Sequence, residues 1–585
     1  MNIFENIREI IIEVAISIGV EDKNIINKIT AEPPKDELHG DIATNIALLS
    51  SKILKKKPKE IASEFIILIK KNKYINEAKI AGPGFINLYL DKAILYECCR
   101  NVLICKSNYG KSNYGNLEKV NIEYVSANPT GPMHIGHARG SVFGDSLANL
   151  LEYVGYDITR EYYINDSGQQ IINLAKSVYF RYLEIFSNKK ILFSDELYPG
   201  EYLIPVAQSI VKKYGNKFID SDISEWLQLF KEVSISAMMD LIRQDLSSIN
   251  IHHDVFTSEE VIKSNGYIEK VVNILDKNNM IYEGVLDPPK GLKKIDWESR
   301  PQLLFKSTSY GDDLDRPLKK ADNSWTYFAA DAAYHYEKYL RKFSSMINVW
   351  GADHGGYVKR IEGIIKSFSQ SNVKFDVKLC QLVNLSNDGK PVKMSKRAGN
   401  FITMKSVVNS VGADVLRFIM LTRKNDAPLD FDMLKVKEQS KDNPVYYVQY
   451  ANIRINSLYK KATNLGIDLN NNTDNIDFNL LSKPSELSLI KIISKWPRQV
   501  EAAAISNEPH RITFYLNDLA SAFHYSWSLG NTTPDLRYII EDDLKLTQAR
   551  LSLAKIVKII LFSGLSIIGV KSVEALSEEP RAINV

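Results

Sequence analysis

The chain has 585 residues, too many for a single hydrophobic core, so about three domains are expected. Apolar residues make up 45% and charged residues 25% of it, proportions that are ordinary for soluble globular proteins. The net charge is 74 − 70 = +4, so total charge neither indicates nor excludes a nucleic-acid partner.

The four cysteines are not arranged for metal binding or for a disulfide framework. They form no Cys-x-x-Cys pair and have no histidines at zinc spacing, which excludes a structural zinc and fits a reducing cytoplasm. The first 13 residues carry several charges, so no signal peptide is predicted. The longest uncharged apolar run, 559–570, has 12 residues and is too short to span a bilayer. A soluble cytoplasmic protein without membrane contact is expected.

Residues 1–112 are predicted to form a small N-terminal domain. Apolar residues from Phe4 to Ile18 recur at spacings of three and four, which predicts an opening amphipathic helix. A second helix is predicted over Ile42 to Leu54, and alternation over Phe85 to Leu90 predicts a strand. Lysines outnumber acidic residues between positions 52 and 73, which indicates either a solvated helix face or contact with a phosphate backbone.

The middle of the chain alternates strand-like and helical patterns, which favours an α/β domain with parallel strands over residues 113–445. A mostly helical insertion, about 175–320, is expected to separate the two halves of a doubly wound sheet. Residues 446–585 are helical in pattern, with an apolar stripe of predicted core residues. The strand candidates are Val120 to Val125, Asp157 to Tyr163, Met346 to Trp350 and Val377 to Leu385; the stripe is Phe514, Leu516, Leu519, Phe523 and Trp527.

A glycine-bearing turn follows the first strand of the middle domain and leads into a helix predicted to start near His134. The backbone N–H groups at such a helix start can bind an anion. His134 and His137 are three residues apart, so they share one helical face, and Gly136 lets a flat ring or a phosphate approach the backbone. A metal pair and a capped helix start are the alternatives, and the Glu of a His-Glu-x-x-His metal site is missing. The turn therefore predicts a nucleotide site.

A second loop, Lys393-Met394-Ser395-Lys396-Arg397, has the charge needed to hold phosphates. It follows the strand candidate that ends at Leu385, in the later half of the α/β domain. Taken alone, this stretch is equally typical of a lysine-rich loop that is simply exposed to solvent. Together with the histidine turn it predicts the second half of one nucleotide site. A third loop, Trp350 to Gly356, follows another strand candidate, and His354 within it is predicted to line the site.

The two motifs, His134 to His137 and Lys393 to Lys396, resemble those of the class I aminoacyl-tRNA synthetases. Further segments narrow the resemblance to the arginyl-tRNA synthetase family, from about residue 35 to about residue 565. The chain's last residues, Glu578 to Val585, depart from the family's usual ending. The narrowing segments are Gly82 to Asn87, Glu123 to Pro132, Arg160 to Asp166, Gly412 to Phe418 and Tyr447 to Ala451.

The resemblance implies a multidomain α/β fold. Residues 1–112 would be a small α+β domain that contacts tRNA, 113–445 a Rossmann-type catalytic domain with an insertion, and 446–585 an all-α anticodon-binding domain. It also implies ATP-dependent ligation of L-arginine to tRNA(Arg) through arginyl-adenylate, with release of AMP and pyrophosphate. ATP would enter with Mg²⁺, no zinc would be involved, and the protein would be a cytoplasmic monomer. Arginine activation in this family generally requires bound tRNA.

The same resemblance assigns site residues. His134, His137, Lys393 and Lys396 would be catalytic, and the ATP site would also include Pro132, Gly136, Met394 and Ser395. Arginine would be held by Glu123, Asn128, Tyr327, Asp331 and His354. A carboxylate suits this substrate because a guanidinium offers five donors in a planar fork and no acceptor. Asp331 could instead be a solvated helix residue, Tyr327 a core ring, and Glu123 a carboxylate that orients a neighbouring lysine.

Two rival interpretations stay open at this stage. One is a synthetase for another amino acid, although cysteine is disfavoured by the missing zinc-type cysteines and glutamate by an acidic pocket. The other is a catalytically silent tRNA-binding relative, against which both phosphate-facing motifs argue, because a binding module has no need of them.

Overall fold

The computed structural model describes residues 2–187, 189–286, 300–320, 322–392, 402–438, 440, 442–467 and 476–573. Within these ranges no helix is both long and apolar enough to cross a membrane. The N-terminal part contains a three-stranded antiparallel sheet in the order β1-β3-β2, packed against helices. Its elements are α1 Ile3–Ser17, α2 Lys23–Ile26, β1 Ile42–Thr44, α3 Ile46–Leu54, α4 Pro58–Ile69, β2 Ile75–Ala81, β3 Phe85–Leu90 and α5 Lys92–Cys105.

The predicted opening helix and the strand over Phe85 to Leu90 are confirmed. The helix predicted over Ile42 to Leu54 is wrong at its start, because Ile42–Thr44 forms strand β1 and the helix begins at Ile46. Ile42 lies opposite Leu88 of β3, and both side chains are buried. Periodicity alone does not separate a short buried strand from a helical turn.

The middle part is built on a parallel sheet with the strand order β11-β10-β4-β5-β6. The chain runs from β4 outward through β5 to β6 and then crosses to β10 and β11, so its direction reverses between β4 and β10. Its elements are β4 Lys119–Glu123, α6 Ile135–Tyr153, β5 Asp157–Ile164, α7 Gln169–Ser187, α8 Ile204–Tyr214, α9 Ile223–Ser248, β6 Val255–Ser258, α10 Glu259–Ser264, α11 Tyr267–Lys277, β7 Ile281–Gly284, β8 Gln302–Phe305, β9 Arg316–Pro317, α12 Tyr327–Leu340, β10 Ser345–Gly351, α13 Val358–Ser369, β11 Lys374–Cys380, β12 Val383–Asn387, β13 Lys390–Pro391, α14 Met404–Val411, α15 Ala413–Met420 and β14 Leu429–Asp432.

Two predictions about this sheet need correction. The stretch predicted as an insertion, about 175–320, contains Val255–Ser258, which pairs with β5 as an edge strand of the parallel sheet. The single strand predicted over Val377 to Leu385 is two strands, because Gln381 turns away and its N–H donates to Asn425 O. Strand β12 then belongs to a separate sheet in the order β13-β12-β14.

The C-terminal part is helical, as predicted. Leu516, Leu519 and Phe523 of the predicted stripe are buried, and Trp527 packs against the core. Phe514 is 46% exposed, so its assignment to the core is wrong. Five residues at these spacings extend further around the helix than the face that packs against the core, so one of them reaches solvent. The elements are α16 Pro444–Asn464, α17 Pro484–Ser494, α18 Trp496–Ile505, α19 His510–Thr532 and α20 Leu544–Ile567.

Arg417 on α15 joins the catalytic part to the C-terminal helices. Its fully buried guanidinium donates to Asp145 Oδ2 on α6 at 2.5 Å, to Ile249 O at 2.7 Å and to Ile568 O at 2.8 Å. Gly569 has φ +68°, and a Cβ there would lie 2.1 Å from the guanidinium. The arginine therefore ties three chain segments together at one point.

We expect Arg417→Met to lower the free energy of unfolding by about 3–5 kcal/mol, because it leaves the Asp145 carboxylate buried without its cation. Urea denaturation followed by circular dichroism measures the loss. Arg511→Met is the matched control, since Arg511 is 42% exposed and pairs with Glu508, and a change of about 0–1 kcal/mol is expected. Equal losses in both variants would contradict the role given to Arg417.

Candidate active site

The histidine turn lies at the carboxyl end of β4, beside the carboxyl end of β10, where the strand order reverses. Ligands in such sheets bind at this crevice. His134 directly precedes α6 as its N-cap residue, and its Nδ1 accepts from Gly136 N–H at 3.1 Å. The His134 N–H donates to Nδ1 of His137 at 3.3 Å, and the two rings stack with centroids 3.8 Å apart. Since both Nδ1 atoms accept, each neutral ring carries its proton on Nε2 and can donate from there.

The turn is held from two sides by distant parts of the chain. Met133 N–H donates to Asp245 Oδ2 on α9 at 2.9 Å, so a helix of the insertion anchors it. Burial raises the pKa of Asp245, and the hydrogen bond from Met133 opposes that shift. On the other side Ile135 N–H donates to Ile402 O at 3.3 Å, and Met404 N–H donates to Met133 O at 2.8 Å.

These last two hydrogen bonds are made by residues that follow the second predicted motif in the chain. Lys393, Met394, Ser395 and Lys396 lie outside the described residues. The chain just after them, Ile402 to Met404, runs antiparallel to the histidine turn, with His134 paired to Thr403. The chain just before them ends the β12–β13 hairpin, where Val392 N–H donates to Leu385 O at 2.9 Å. The described residues on both sides of the lysines are therefore held in place, and those that follow lie against the first motif.

A cavity of about 520 Å³ lies beyond the ends of β5, β6 and β10. Three of the predicted arginine-binding residues, Tyr327, Asp331 and His354, line it together. Tyr327 is 64% exposed, which excludes the core-ring alternative, and the His354 side chain is 63% exposed. The remaining lining residues are Tyr163, Asn165, Glu259, Asp353, Gly356, Tyr357 and Arg360.

Asp331 is the partly buried carboxylate of this cavity, and Tyr357 donates its hydroxyl to Oδ2 at 2.6 Å. Burial raises the pKa of Asp331 to about 7; the Tyr357 hydrogen bond lowers it, and the charges of Glu123 and Glu259 raise it further. Burial, and then the charge of Asp331, raises the pKa of Tyr357, so this hydroxyl stays protonated. Glu259 and Asp353 line the cavity together with Asp331, against one arginine, Arg360, so the wall is acidic and is suited to a cation.

Glu123 and Asn128 lie behind the cavity rather than in its wall. Glu123 is 5% exposed; Lys338 Nζ lies 2.7 Å from its Oε2, and Ser126 Oγ donates to its Oε1 at 3.0 Å. Glu123 is therefore paired with a buried lysine, the contact that the alternative interpretation of this residue expects. Asn128 Oδ1 accepts from Asn165 Nδ2 at 3.2 Å, so it is one hydrogen bond away from the cavity.

Sequence comparisons agree with this geometry over almost the whole chain. Residues 2–90 match the arginyl-tRNA synthetase N-terminal domain, 99–464 the catalytic domain of class I tRNA synthetases (R), and 448–576 the DALR anticodon-binding domain. The arginine–tRNA ligase of Roseobacter denitrificans is 49% identical over 97% of this chain and 99% of its own length. That of Ruegeria sp. (strain TM1040) is 48% identical over 98% of this chain and its own full length. The chain belongs to the arginyl-tRNA synthetase family.

The solved arginyl-tRNA synthetase of Thermus thermophilus has the same fold, with a TM-score of 0.72 at 19% identity over 98% of this chain and all of that one. The predicted family, fold class and ATP-dependent arginine–tRNA ligase reaction are thereby confirmed. The rival interpretation as a synthetase for another amino acid is wrong, since the relatives are arginine–tRNA ligases along their whole length. The domain boundaries at residues 112 and 445 stay predictions.

Sequence reasoning missed Glu259 and Tyr357, which line this candidate site, and Lys338, which lies behind it. Glu259 directly follows β6, a strand of four residues that was hidden in the predicted insertion. Tyr357 and Lys338 gave no motif signal, although Lys338 lies two helical turns after Asp331 on the same face of α12. Among the described residues, no group of three or more His, Cys, Asp or Glu side chains could hold a metal ion.

We expect Met404→Pro to lower the kcat of aminoacylation about tenfold or more below that of Met404→Ala, because the segment after the second motif loses a hydrogen bond that fixes it to the histidine turn. Both variants remove the buried side chain, but only proline removes the N–H that donates to Met133 O. Proline is tolerated at the first position of α14, and Thr403 before it already has extended backbone, with φ −68° and ψ 150°. Steady-state aminoacylation with saturating arginine measures the difference. Equal kcat values in the two variants would refute it.

Proposed function

We propose that the residues of the histidine turn and the acidic cavity take the roles given below in the two steps by which the chain joins L-arginine to tRNA(Arg). The arginine carboxylate attacks the α-phosphate of ATP, and pyrophosphate leaves. The 2′-hydroxyl of the terminal adenosine of the tRNA then takes the arginyl group and AMP leaves. Substrates supply both nucleophiles, so the chain contributes orientation and charge stabilisation. The observation that carries the proposal is the cavity lined by Tyr327, Asp331 and His354 at the sheet crevice.

The histidine turn binds ATP in this proposal. Nε2–H of His134 and of His137 donate to the phosphates, and Gly136 and Pro132 leave room for the adenine. Lys393 and Lys396 hold the departing pyrophosphate, with Met394 and Ser395 alongside. ATP enters as its Mg²⁺ complex, in which the ion screens phosphate charge. Each well-aimed donor that strengthens in the transition state lowers the barrier by about 3 kcal/mol.

The acidic cavity binds the side chain of arginine. Asp331 accepts from the guanidinium, Glu259 faces it as a second carboxylate, and the Tyr327 ring covers it. Glu259 is 2% exposed and has Lys263 Nζ at 2.5 Å, so its charge is already partly compensated before the substrate enters. Charge-assisted hydrogen bonds contribute about 1.5–3 kcal/mol each, and lysine cannot reproduce the fork geometry. Selectivity for arginine follows from this wall.

The polar groups behind the cavity hold the other end of the amino acid. Glu123 accepts from the α-ammonium group, Asn128 binds neighbouring polar atoms, and His354 closes the outer edge. A carboxylate has about four acceptor positions, so Glu123 can bind the substrate as well as Lys338 and Ser126. The alternative is that Glu123 only orients Lys338 and does not bind arginine. Binding of an arginine analogue that lacks the α-amino group separates the two roles.

The two flanking domains contact tRNA in this proposal, the N-terminal domain through its lysine-rich helices and the C-terminal domain at the anticodon. Most lysines between positions 52 and 73 are exposed, and Lys56 pairs with Glu64 at 2.6 Å. Such side chains form the electrostatic footprint that a phosphate backbone recognises. The protein acts as a cytoplasmic monomer.

The deciding measurement is aminoacylation by the full chain, with ATP, each amino acid in turn and matching tRNA. Arginine with tRNA(Arg) is expected to be the only productive combination, because the carboxylates of the cavity require a guanidinium. Pyrophosphate exchange without tRNA is expected to be weak. Charging of lysine or glutamine as efficiently as arginine, or no charging at all, would refute the proposed function.

We expect arginine binding to weaken about tenfold per pH unit below pH 7, because the pKa of Asp331 in the ligand-free site is about 7 and only the ionised form pairs with the guanidinium. Above that pH the carboxylate is ionised and binding levels off. Calorimetric titration with arginine alone measures this without involving the phosphate-binding histidines. Asp331→Asn is the control, expected to bind about 100-fold more weakly with little pH dependence and to leave the KM for ATP nearly unchanged. A wild-type affinity that stays constant from pH 8 to pH 6 would contradict the assignment.

A further inference from the structure

A buried cation lies directly behind the amino-acid site. Lys338 has 0% exposure, and its Nζ lies 2.7 Å from Glu123 Oε2 and 4.3 Å from the centroid of the Tyr334 ring. A buried ammonium group is stable only when it is paired, because desolvation costs several kcal/mol per ion. Glu123 supplies the paired charge, and the Tyr334 ring supplies a cation–π contact.

Two uncharged side chains, His335 and Asn348, also lie close to Lys338 and form a hydrogen-bonded chain. Burial, and then the positive charge of Lys338, lowers the pKa of His335 to about 3, so this ring is uncharged. Its Nε2 accepts from Asn348 Nδ2 at 3.0 Å, so its Nδ1–H donates to the carbonyl of Asp331 at 2.8 Å. Asn348 Oδ1 then faces Lys338 Nζ at 3.5 Å. These hydrogen bonds connect β10 to the backbone of the residue that carries the predicted guanidinium ligand.

Lys338 holds Oε2 of Glu123, and the second carboxylate oxygen, Oε1, is held by a hydrogen bond of its own. Ser126 Oγ donates to Oε1 at 3.0 Å, and the same hydroxyl accepts from the N–H of Tyr163 at 3.1 Å. Val125 and Ser126 have φ of +70° and +40°, a conformation that costs non-glycine residues about 1–3 kcal/mol each and persists only where surrounding contacts determine it. The strained turn therefore serves to bring Ser126 back onto the carboxylate.

We propose that Lys338 is a positioning residue for amino-acid binding, which holds the Glu123 carboxylate in place and aims it at the α-ammonium group of the substrate, with Ser126 holding its second oxygen. The inference rests on the proposed function, in which Glu123 contacts that ammonium group. Lys338 is too buried to touch arginine itself. Its removal should therefore weaken recognition of the α-amino group while leaving recognition of the guanidinium intact.

The test compares arginine with 5-guanidinopentanoic acid, which lacks only the α-amino group. Both ligands are titrated calorimetrically into the full chain and into Lys338→Met, Ser126→Ala and Glu123→Gln. The wild-type chain is expected to prefer arginine by about 10- to 100-fold, the range for hydrogen bonds between charged groups. Lys338→Met and Glu123→Gln are expected to remove most of that preference, and Ser126→Ala part of it. Affinity for the analogue should change by less than about threefold, the level below which we count guanidinium recognition as intact.

Control variants distinguish the positioning role of Lys338 from a general loss of structure. Tyr334→Phe keeps the ring beside Lys338 and removes a buried hydroxyl that has no hydrogen-bond partner within the described ranges, so its preference should match the wild type. If Lys338→Met does not fold, Lys338→Gln takes its place, since it keeps an N–H donor toward Glu123; a partial loss of preference is then expected. In each folded variant the KM for ATP should be unchanged.

The outcomes are distinguishable. A Lys338 variant that keeps the wild-type preference while Glu123→Gln loses it would overturn the role of Lys338 and leave the proposed function standing. Equal weakening of arginine and the analogue would make Lys338 structural and would also overturn the inference. A Glu123→Gln variant that keeps the wild-type preference would refute the α-amino contact itself, and the inference would fail with it.

Discussion

Strands β4 and β10 lie side by side in the parallel sheet, although the whole insertion separates them in the chain. Strands on either side of this pair are wound in opposite directions, so the loops that follow β4 and β10 diverge and leave a crevice. The loop after β4 carries the histidine turn, and the loop after β10 carries His354. The site is therefore a consequence of one strand pairing.

Two opposite electrostatic environments follow the carboxyl ends of strands of the same parallel sheet. The histidine turn presents ring N–H groups at the start of a helix, which suits the phosphates of ATP. The cavity beside it is walled by Asp331 and Glu259, which suits a guanidinium. A ligase that joins a cationic amino acid to a nucleotide needs both environments within reach of one reacting carboxylate. Lys263 pairs with Glu259 in the wall and Lys338 pairs with Glu123 behind it, so neither of these buried carboxylates lacks a cation in the ligand-free chain.

Much of this organisation could be predicted from local patterns. Alternating and helical periodicities are local, and they predicted strands β4, β5 and β10 as well as the helical C-terminal part. The errors share a cause. Val255–Ser258 is too short to show a period, Ile42–Thr44 is a strand only because β3 pairs with it, and Gln381 breaks a strand through a contact with Asn425. Each depends on a partner that is distant in sequence.

The sequence by itself determined the family and the reaction, because the motif His134 to His137 and the segments around it are contiguous and resemble those of the arginyl-tRNA synthetases. The same resemblance predicted Tyr327 and Asp331 for the arginine site. Only the tertiary structure decided which charges meet. Lys338 pairs with Glu123 across 215 positions, and Glu259 reaches the cavity through a strand that no local pattern marked. Such pairs are selected by burial, since a charge removed from water must find its partner wherever the fold brings one. The acidic wall and its compensating lysines are therefore properties of the folded chain.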